Sequence, residues 1–257
     1  MHCFAFDIET IPDVEFGRRM WDLHELSDED VASAMTFKRQ QATGNDFLPP
    51  HQHRIVAISV ALRTGDSFRV WSLGKRDSDE AELVRRFFDG IDRYSPDLVS
   101  WNGSGFDLPV LHFRALKNNI EAPRYWETGD SDREFRYNNY LNRFHWRHID
   151  LMEVLSGFQG RGRASLDQAA VLLGFPGKLG MSGDKVWQTW RDGGIDQIRA
   201  YCETDVLNTY LIYLRFEFMR GNIDHEGLHR EYELVRSTLA SMDQPHLNEF
   251  AAAWPAD

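Results

Sequence analysis

"FAFDIETIPD", residues 4–13, decides how the rest of the chain is read. Its apolar start, Phe4-Ala5-Phe6, has the composition of a buried strand. Asp7 and Glu9 then interrupt the run, with Ile8 between them. Successive side chains on a strand point to opposite faces, so the two acids share one face and Ile8 takes the other. Carboxylates that close repel each other and resist joint ionisation unless a cation lies between them. A strand end running out into solvent would carry the same residues at no cost, and D-x-E recurs by chance. The choice between these readings rests on partners elsewhere in the chain.

The chain has 257 residues, enough for one large domain or two small ones. With 42% hydrophobic and 13% aromatic residues, it can bury a substantial core. No apolar stretch is long enough to cross a bilayer. The start, "MHCFAFDIET", lacks a basic region and meets acids at once, which argues against a signal peptide. Cys3 and Cys202 are too few for a disulfide framework, so the expectation is a reduced, cytoplasmic setting with buried free thiols. A net charge of −11 argues against general adhesion to nucleic acid or membrane. It leaves room for an enzyme that combines a local basic track with an acidic metal site.

The remaining chain reads as strands first, then strands and helices interleaved. A long polar segment, 13–53, contains "LSDEDVASAMTFKRQQA", a helix capped by Ser27, before "NDFLPPH" breaks it. Residues 54–63 and 67–74 read as strands joined by a hairpin turn at Thr64-Gly65-Asp66. Residues 78–94 read as an amphipathic helix capped by Ser78. "DLVSWNG", 97–103, is a short buried strand, and a helix starts at 106 with Pro109 in its first turn. Residues 121–148 are irregular, 148–155 are a last strand or a helix start, and 165–175 are a helix ending at Gly174. One long helix spans 195–220, and a final helix at roughly 226–242 closes the chain. This order predicts an α/β sheet with helices packed around it.

Two later segments supply partners for Asp7 and Glu9. Asp107 stands where the strand of "LVSWNGSGFD" hands over to a helix, the end of an α/β sheet at which ligands bind. A helix-capping aspartate would stand there equally well. In "YCETDVLNTY", Tyr201 and Asp205 are four apart, so they share one face of a helix, about 6 Å apart along its axis. That helix is otherwise apolar, and a buried Asp there needs a partner.

Taken together, the stretches "FDIETIPD", "HRIVAISV", "LVSWNGSGFDLPVL" and "YCETDVLNTYLIYLR" resemble the DEDDy 3′–5′ exonucleases, which have a ribonuclease-H-like fold. The nearer match is the proofreading exonuclease of family B DNA polymerases. Nearest are stand-alone bacterial proteins described as predicted 3′–5′ exonucleases related to that domain. The matching stretches run across most of residues 1–220. The resemblance implies a mixed sheet flanked by helices, in one domain over residues 1–257, with a helical C-terminal extension from about 221. It implies that Asp7, Glu9, Asp107 and Asp205 are metal-site acids and that Tyr201 orients the attacking water. A related branch carries His five residues before the last Asp. Here that position is Ala200, which places the chain in the tyrosine branch.

The implied chemistry explains why acids belong on a core strand. Two Mg²⁺ or Mn²⁺ ions, about 3.5–4 Å apart, clamp the attacking and leaving oxygens of a phosphodiester, and both ions take carboxylate oxygens. The expected reaction is stepwise removal of nucleoside 5′-monophosphates from the 3′ end of single-stranded nucleic acid. DNA is the expected substrate, an exoribonuclease is the alternative, and a non-catalytic nucleic-acid-binding module is the rival of another class. A proofreading or DNA-repair role would require replication or repair proteins as partners. Thr10 and Ile11 are expected at the terminal nucleotide, Asn102 and Phe106 at its sugar and base, and Lys178 and Lys185 at phosphates. The run "REFRYNNYLNRFHWRH", 133–148, suits single-strand stacking and phosphate contact, and equally a surface loop with anchored aromatics. Asp150 reads as a second-tier acid of the site or as a helix-start acid. The histidines, His51 and His53 among them, lack metal-site spacing and read as structural or surface residues.

Overall fold

The computed structural model describes residues 2–255. Its frame is a 5-stranded sheet in the order β3-β2-β1-β4-β5. The strands are β1 (His2–Pro12), β2 (His53–Thr64), β3 (Ser67–Ser72), β4 (Asp97–Ser100) and β5 (His148–Asp150). β1 pairs antiparallel with β2, and β2 with β3; β1 pairs parallel with β4, and β4 with β5. This mixed sheet with flanking helices is the expected α/β, ribonuclease-H-like plan.

The acids do not stand where β1 ends. The strand continues through Pro12 because β2 pairs with it throughout, Asp7 facing Ser59 and Glu9 facing Ala57, with a register shift before Thr10. Pairing with β4, in contrast, covers only Cys3–Ala5. The sheet therefore splays beside Asp7 and Glu9, and the crevice opens beyond the carboxyl end of β4.

Alternation along β1 sorts the two cores. Phe4, Phe6 and Ile8 pack with Ile58 and Val60 of β2 against Phe87 and Phe88 of α3 (Glu80–Tyr94) and Leu108 and Leu111 of α4 (Asp107–Lys117). Cys3 and Ala5 face the other way, against Val206, Leu207 and Tyr210 of the long helix α8 (Ile195–Met219). Asp7 and Glu9 continue that second face, so they point at α8. From Tyr201 to Leu214 α8 is buried all round. On its outer side lie α9 (His225–Met242) and α10 (Pro245–Ala253), through Leu228, Val235, Leu239, Leu247 and Phe250.

Several sequence expectations shift in register or number. The chain does not close with the helix at 226–242: Asp243 turns left-handed and Pro245 opens α10. The polar segment 13–53 holds two helices, α1 (Val14–Trp21) and α2 (Asp28–Thr43), which meet through Val31, Met35, Phe16 and Trp21. Ser27 caps α2 as expected. The cap of α3 is Asp79 and not Ser78, whose hydroxyl instead accepts from the Lys75 N–H. Residues 148–155 are both alternatives in turn, β5 and then α5 (Leu151–Leu155). α6 (Leu166–Leu172) begins at Ser165 in a capping box with Gln168. Short α7 (Val186–Arg191) completes the set. Trp101 to Gly103 lie outside β4, with Asn102 at a left-handed φ of 64°.

Candidate active site

Three elements bring the acids together. β1 presents Asp7 and Glu9, the first turn of α4 presents Asp107, and α8 presents Asp205. Asp107 and Asp205 are only 5% and 6% exposed, far below what an unpaired surface acid would show. Burial raises the pKa of Asp7 and Glu9 well above the carboxylate range, and the charges of Asp107 and Asp205 raise both further. Burial likewise pushes Asp107 up to about 7, against backbone N–H groups of Asp107 itself and Ile8 that favour its anion. Burial pushes Asp205 up to about 6, opposed by a hydrogen bond from Tyr201 and by the charge of Lys178. Oδ1 of Asp205 is buried with no hydrogen-bond partner.

Tyr201 donates to Asp205, and its own pKa is driven far above that of a free phenol by burial and by the surrounding acids. Cys202, which the sequence reading treated only as a buried thiol, belongs to the same cluster. Its Sγ lies 3.4 Å from both the backbone oxygen and Oδ2 of Asp7. Ligand atoms of Asp7, Glu9 and Cys202 fall within 4.8 Å of one another. The available signal was spacing: Cys202 precedes Asp205 by three, one face of a helix.

Lys178 is exposed, and its charge favours the anionic forms of Asp7, Glu9 and Asp205. Its loop is braced against α8 by Asn208, which accepts from the Gly177 N–H at 3.2 Å and donates to the Gly177 carbonyl at 2.9 Å. Gly177 itself has φ +66°, and a Cβ there would stand 2.6 Å from Oδ1 of Asp167. Lys185 lines a cavity of about 400 Å³ beside Tyr201, together with Met181, Gln197, Thr204 and His246.

The expected nucleotide contacts fall in different settings. Thr10 is partly exposed, and its Oγ1 lies 2.8 Å from Nδ1 of His53. Ile11 is 3% exposed and packs against Val56, Ala57, Val186 and Ile198. Phe106 packs its ring edge-on to His53 at 4.9 Å. Asn102 lies in the loop that leads into α4. Asp150 holds that loop, accepting the N–H groups of Asn102 and Ser104 at 2.9 Å each, and it also caps α5. Asp150 is thus a helix-start acid, as one of the two alternatives had it, that also ties down the loop leading into α4.

The Arg-rich run 133–148 divides in two. Phe135 and Tyr140 are core residues, with Arg147 and Arg124 stacked on Phe135 at 4.1 and 4.2 Å. Arg143 pairs with Glu153, while Tyr137 and Phe144 are exposed. Of the histidines, His53 is buried and bonded on both ring nitrogens, to Thr10 and to the Leu48 carbonyl, which agrees with a structural role.

A family profile described as "predicted 3′-5′ exonuclease related to the exonuclease domain of PolB" matches residues 45–254. The chain belongs to that family. The matched span includes Asp107, Tyr201 and Asp205, and it begins after Asp7 and Glu9. Curated relatives include a DNA polymerase of Archaeoglobus fulgidus, 25% identical over 171 residues, which is 65% of this chain and 21% of that one. A DNA polymerase of Pyrococcus glycovorans is 24% identical over 208 residues, 75% of this chain and 26% of that one. DNA polymerase 1 of Sulfurisphaera ohwakuensis is 51% identical over a stretch of 41 residues, 16% of this chain and 5% of that one. The chain thus spans about a quarter or less of the length of these relatives. Among the described residues, no helix is long and apolar enough to cross a membrane.

Proposed function

We propose that this chain is a metal-dependent exonuclease of the DEDDy type, removing nucleoside 5′-monophosphates from the 3′ end of single-stranded DNA with two Mg²⁺ or Mn²⁺ ions. The observation that carries the reading is the convergence of Asp7, Glu9, Asp107 and Asp205, all held above the ordinary carboxylate range by burial, and Asp7 and Glu9 also by the charges of the other acids. Such a cluster is a standing cost to the fold unless cations enter it. The unpartnered Oδ1 of Asp205 fits a ligand atom awaiting a cation. The donor set suits hard ions, because the thiol of Cys202 is kept neutral by burial and stays hydrogen-bonded to Asp7.

Asp7 is central and would touch both ions; Glu9 and Asp205 would complete one site and Asp107 the other. Bound divalent ions would supply charge stabilisation for the oxygens of the scissile phosphodiester. The chain's own residues do the rest. Tyr201 cannot serve as a base with so high a pKa, so its hydroxyl orients the nucleophilic water by hydrogen bonding. Lys178 attracts the scissile phosphate while offsetting the acids. Asp150 holds the loop that carries Asn102 and delivers Asp107.

We read residues 1–257 as one exonuclease domain with a helical extension from about 221. In support, His246 of α10 bonds Glu203 of α8 at 2.8 Å, and Glu203 in turn accepts from Ser72 at the end of β3. We place its work in the cytoplasm, alongside replication or repair proteins. The deciding experiment uses 5′-labelled DNA and RNA single strands of one sequence, with Mg²⁺, Mn²⁺ or EDTA. The reading expects a metal-dependent ladder from the 3′ end that is faster on DNA and slowed by a 3′-phosphate. Faster digestion of RNA would favour the exoribonuclease. Binding without any cleavage would favour a non-catalytic module.

A further inference from the structure

The insert formed by α1 and α2 has no part in the sheet, yet it reaches the site through one exposed aromatic. After Gly44 the chain turns back, and Phe47 ends up with its ring 5.1 Å from Phe106 and 5.3 Å from His53. Phe106 immediately precedes Asp107, and Thr10, the hydrogen-bond partner of His53, immediately follows Glu9. The three rings therefore stand directly beside residues that carry two of the acids.

Phe47 is 55% exposed, so one face of its ring is open to a second ring. It is nonetheless held firmly. Its N–H donates to Asn45 Oδ1 at 2.9 Å, its carbonyl accepts from Arg39 at 3.2 Å, and the next residue, Leu48, is buried against Val31 and Met35. An exposed aromatic on a braced loop loses little entropy when a second flat ring stacks on it.

The hydrogen bonds at His53 fix a direction as well. The Leu48 carbonyl can only accept, so Nε2 of His53 donates to it at 3.0 Å. Burial favours the neutral imidazole, so Nδ1 accepts a hydrogen bond from the Thr10 hydroxyl. These two bonds tie the His53 ring, on which Phe47 rests, to Leu48 and to β1.

We propose that Phe47, on a braced loop beside Phe106 and His53, is the stacking face for the base of the strand's terminal nucleotide. This rests on the exonuclease reading and adds the element that recognises the end of the strand. It also gives the α1–α2 insert a function: carrying Phe47 to the site.

The test uses a single-stranded DNA whose 3′-terminal base is 2-aminopurine, titrated with protein in Ca²⁺ and, in parallel, digested in Mn²⁺. Stacking on Phe47 quenches the fluorescence of the wild-type complex. Phe47→Ala is expected to lose most of the quenching and to raise KM by roughly five- to a hundredfold, the worth of one stacked base, with the loss falling mainly on KM. Phe47→Tyr should restore both, and a probe placed five nucleotides inward should not report the substitution. Phe47 being exposed, the variants should melt with the wild type. Digestion by the wild type together with unchanged quenching and KM in Phe47→Ala would overturn this proposal alone. A wild type that neither quenches nor digests would overturn the exonuclease reading and this proposal with it.

Discussion

The carboxylate of Asp150 receives the backbone N–H of Asn102, and the same carboxylate receives Ser104, both at 2.9 Å. Asn102 sits at a left-handed φ of 64°, a conformation that asparagine tolerates better than most residues. β5 thus shapes the loop through which β4 delivers Asp107. Asp150→Ala would leave these donors without their acceptor, at a cost of about 1–3 kcal/mol in urea unfolding, and is expected to slow digestion at least about tenfold through misplacement of Asp107. Asp150→Asn keeps one acceptor oxygen and should fall between. Wild-type turnover in Asp150→Ala would show that the loop keeps its shape without this tie.

Asp7 stands where the fields of Asp107 and Asp205 meet. Asp7→Ala is expected to lower the turnover rate by at least about two to three orders of magnitude, the scale of metal-stabilised charge. Single-turnover digestion of a labelled strand measures it. Near wild-type rates in a folded Asp7→Ala protein would remove the basis of the two-metal assignment.

Tyr201→Phe removes one hydroxyl and keeps the ring in its buried place. The expected effect is a roughly ten- to thousandfold slower reaction with Mn²⁺ affinity little changed by calorimetry. An equal loss of metal affinity would assign the hydroxyl to holding Asp205 and not to the water.

Asp205 and Asp107 titrate near 6 and 7, against an ordinary carboxylate value of 3.8. Raised pKa values mean that the folded state holds these protons more tightly than the unfolded one. Their contribution to stability is therefore complete below about pH 4 and is lost as the pH rises through 6 to 7. In EDTA, Asp205→Asn should melt several degrees above the wild type at pH 8, and the gap should shrink toward pH 5. A gap independent of pH would show that Asp205 is not the strained acid.

Metal reverses that order. Ions that bind only the folded form stabilise by RT ln(1 + [L]/Kd), about 2.7 kcal/mol at a hundredfold excess over Kd. Mn²⁺ at pH 8 should raise the wild type strongly and Asp205→Asn much less, so the two melting curves cross during a titration. Parallel shifts in the two proteins would exclude Asp205 from the metal site.

How much of this was legible in the sequence depended on how local the signal was. The face shared by Asp7 and Glu9, the turn of helix shared by Tyr201 and Asp205, and the cap at Ser27 follow from periods of 2.0 and 3.6 residues and from one hydroxyl. They needed no knowledge of the fold. The run holding Phe135, Tyr140 and Arg147 stayed open between two readings, because the composition that suits a single strand also suits a folded loop, and only burial separates the two. α10 was missed because its amphipathic face becomes meaningful only against α8. The places of His53 and Phe47 beside the candidate site were illegible, and that of Asp150 stayed one of two alternatives: their partners Thr10, Phe106 and Asn102 lie 43, 59 and 48 positions away. Sequence by itself determined which carboxylates exist and which face of β1 and α8 each one takes, since backbone geometry alone sets those directions. Only the tertiary structure decided that β1 parts from β4 just past Ala5, so that Asp107 and Asp205 close on Asp7 in a buried crevice. Distance and desolvation between elements far apart in the chain are properties of packing, and no residue carries them alone.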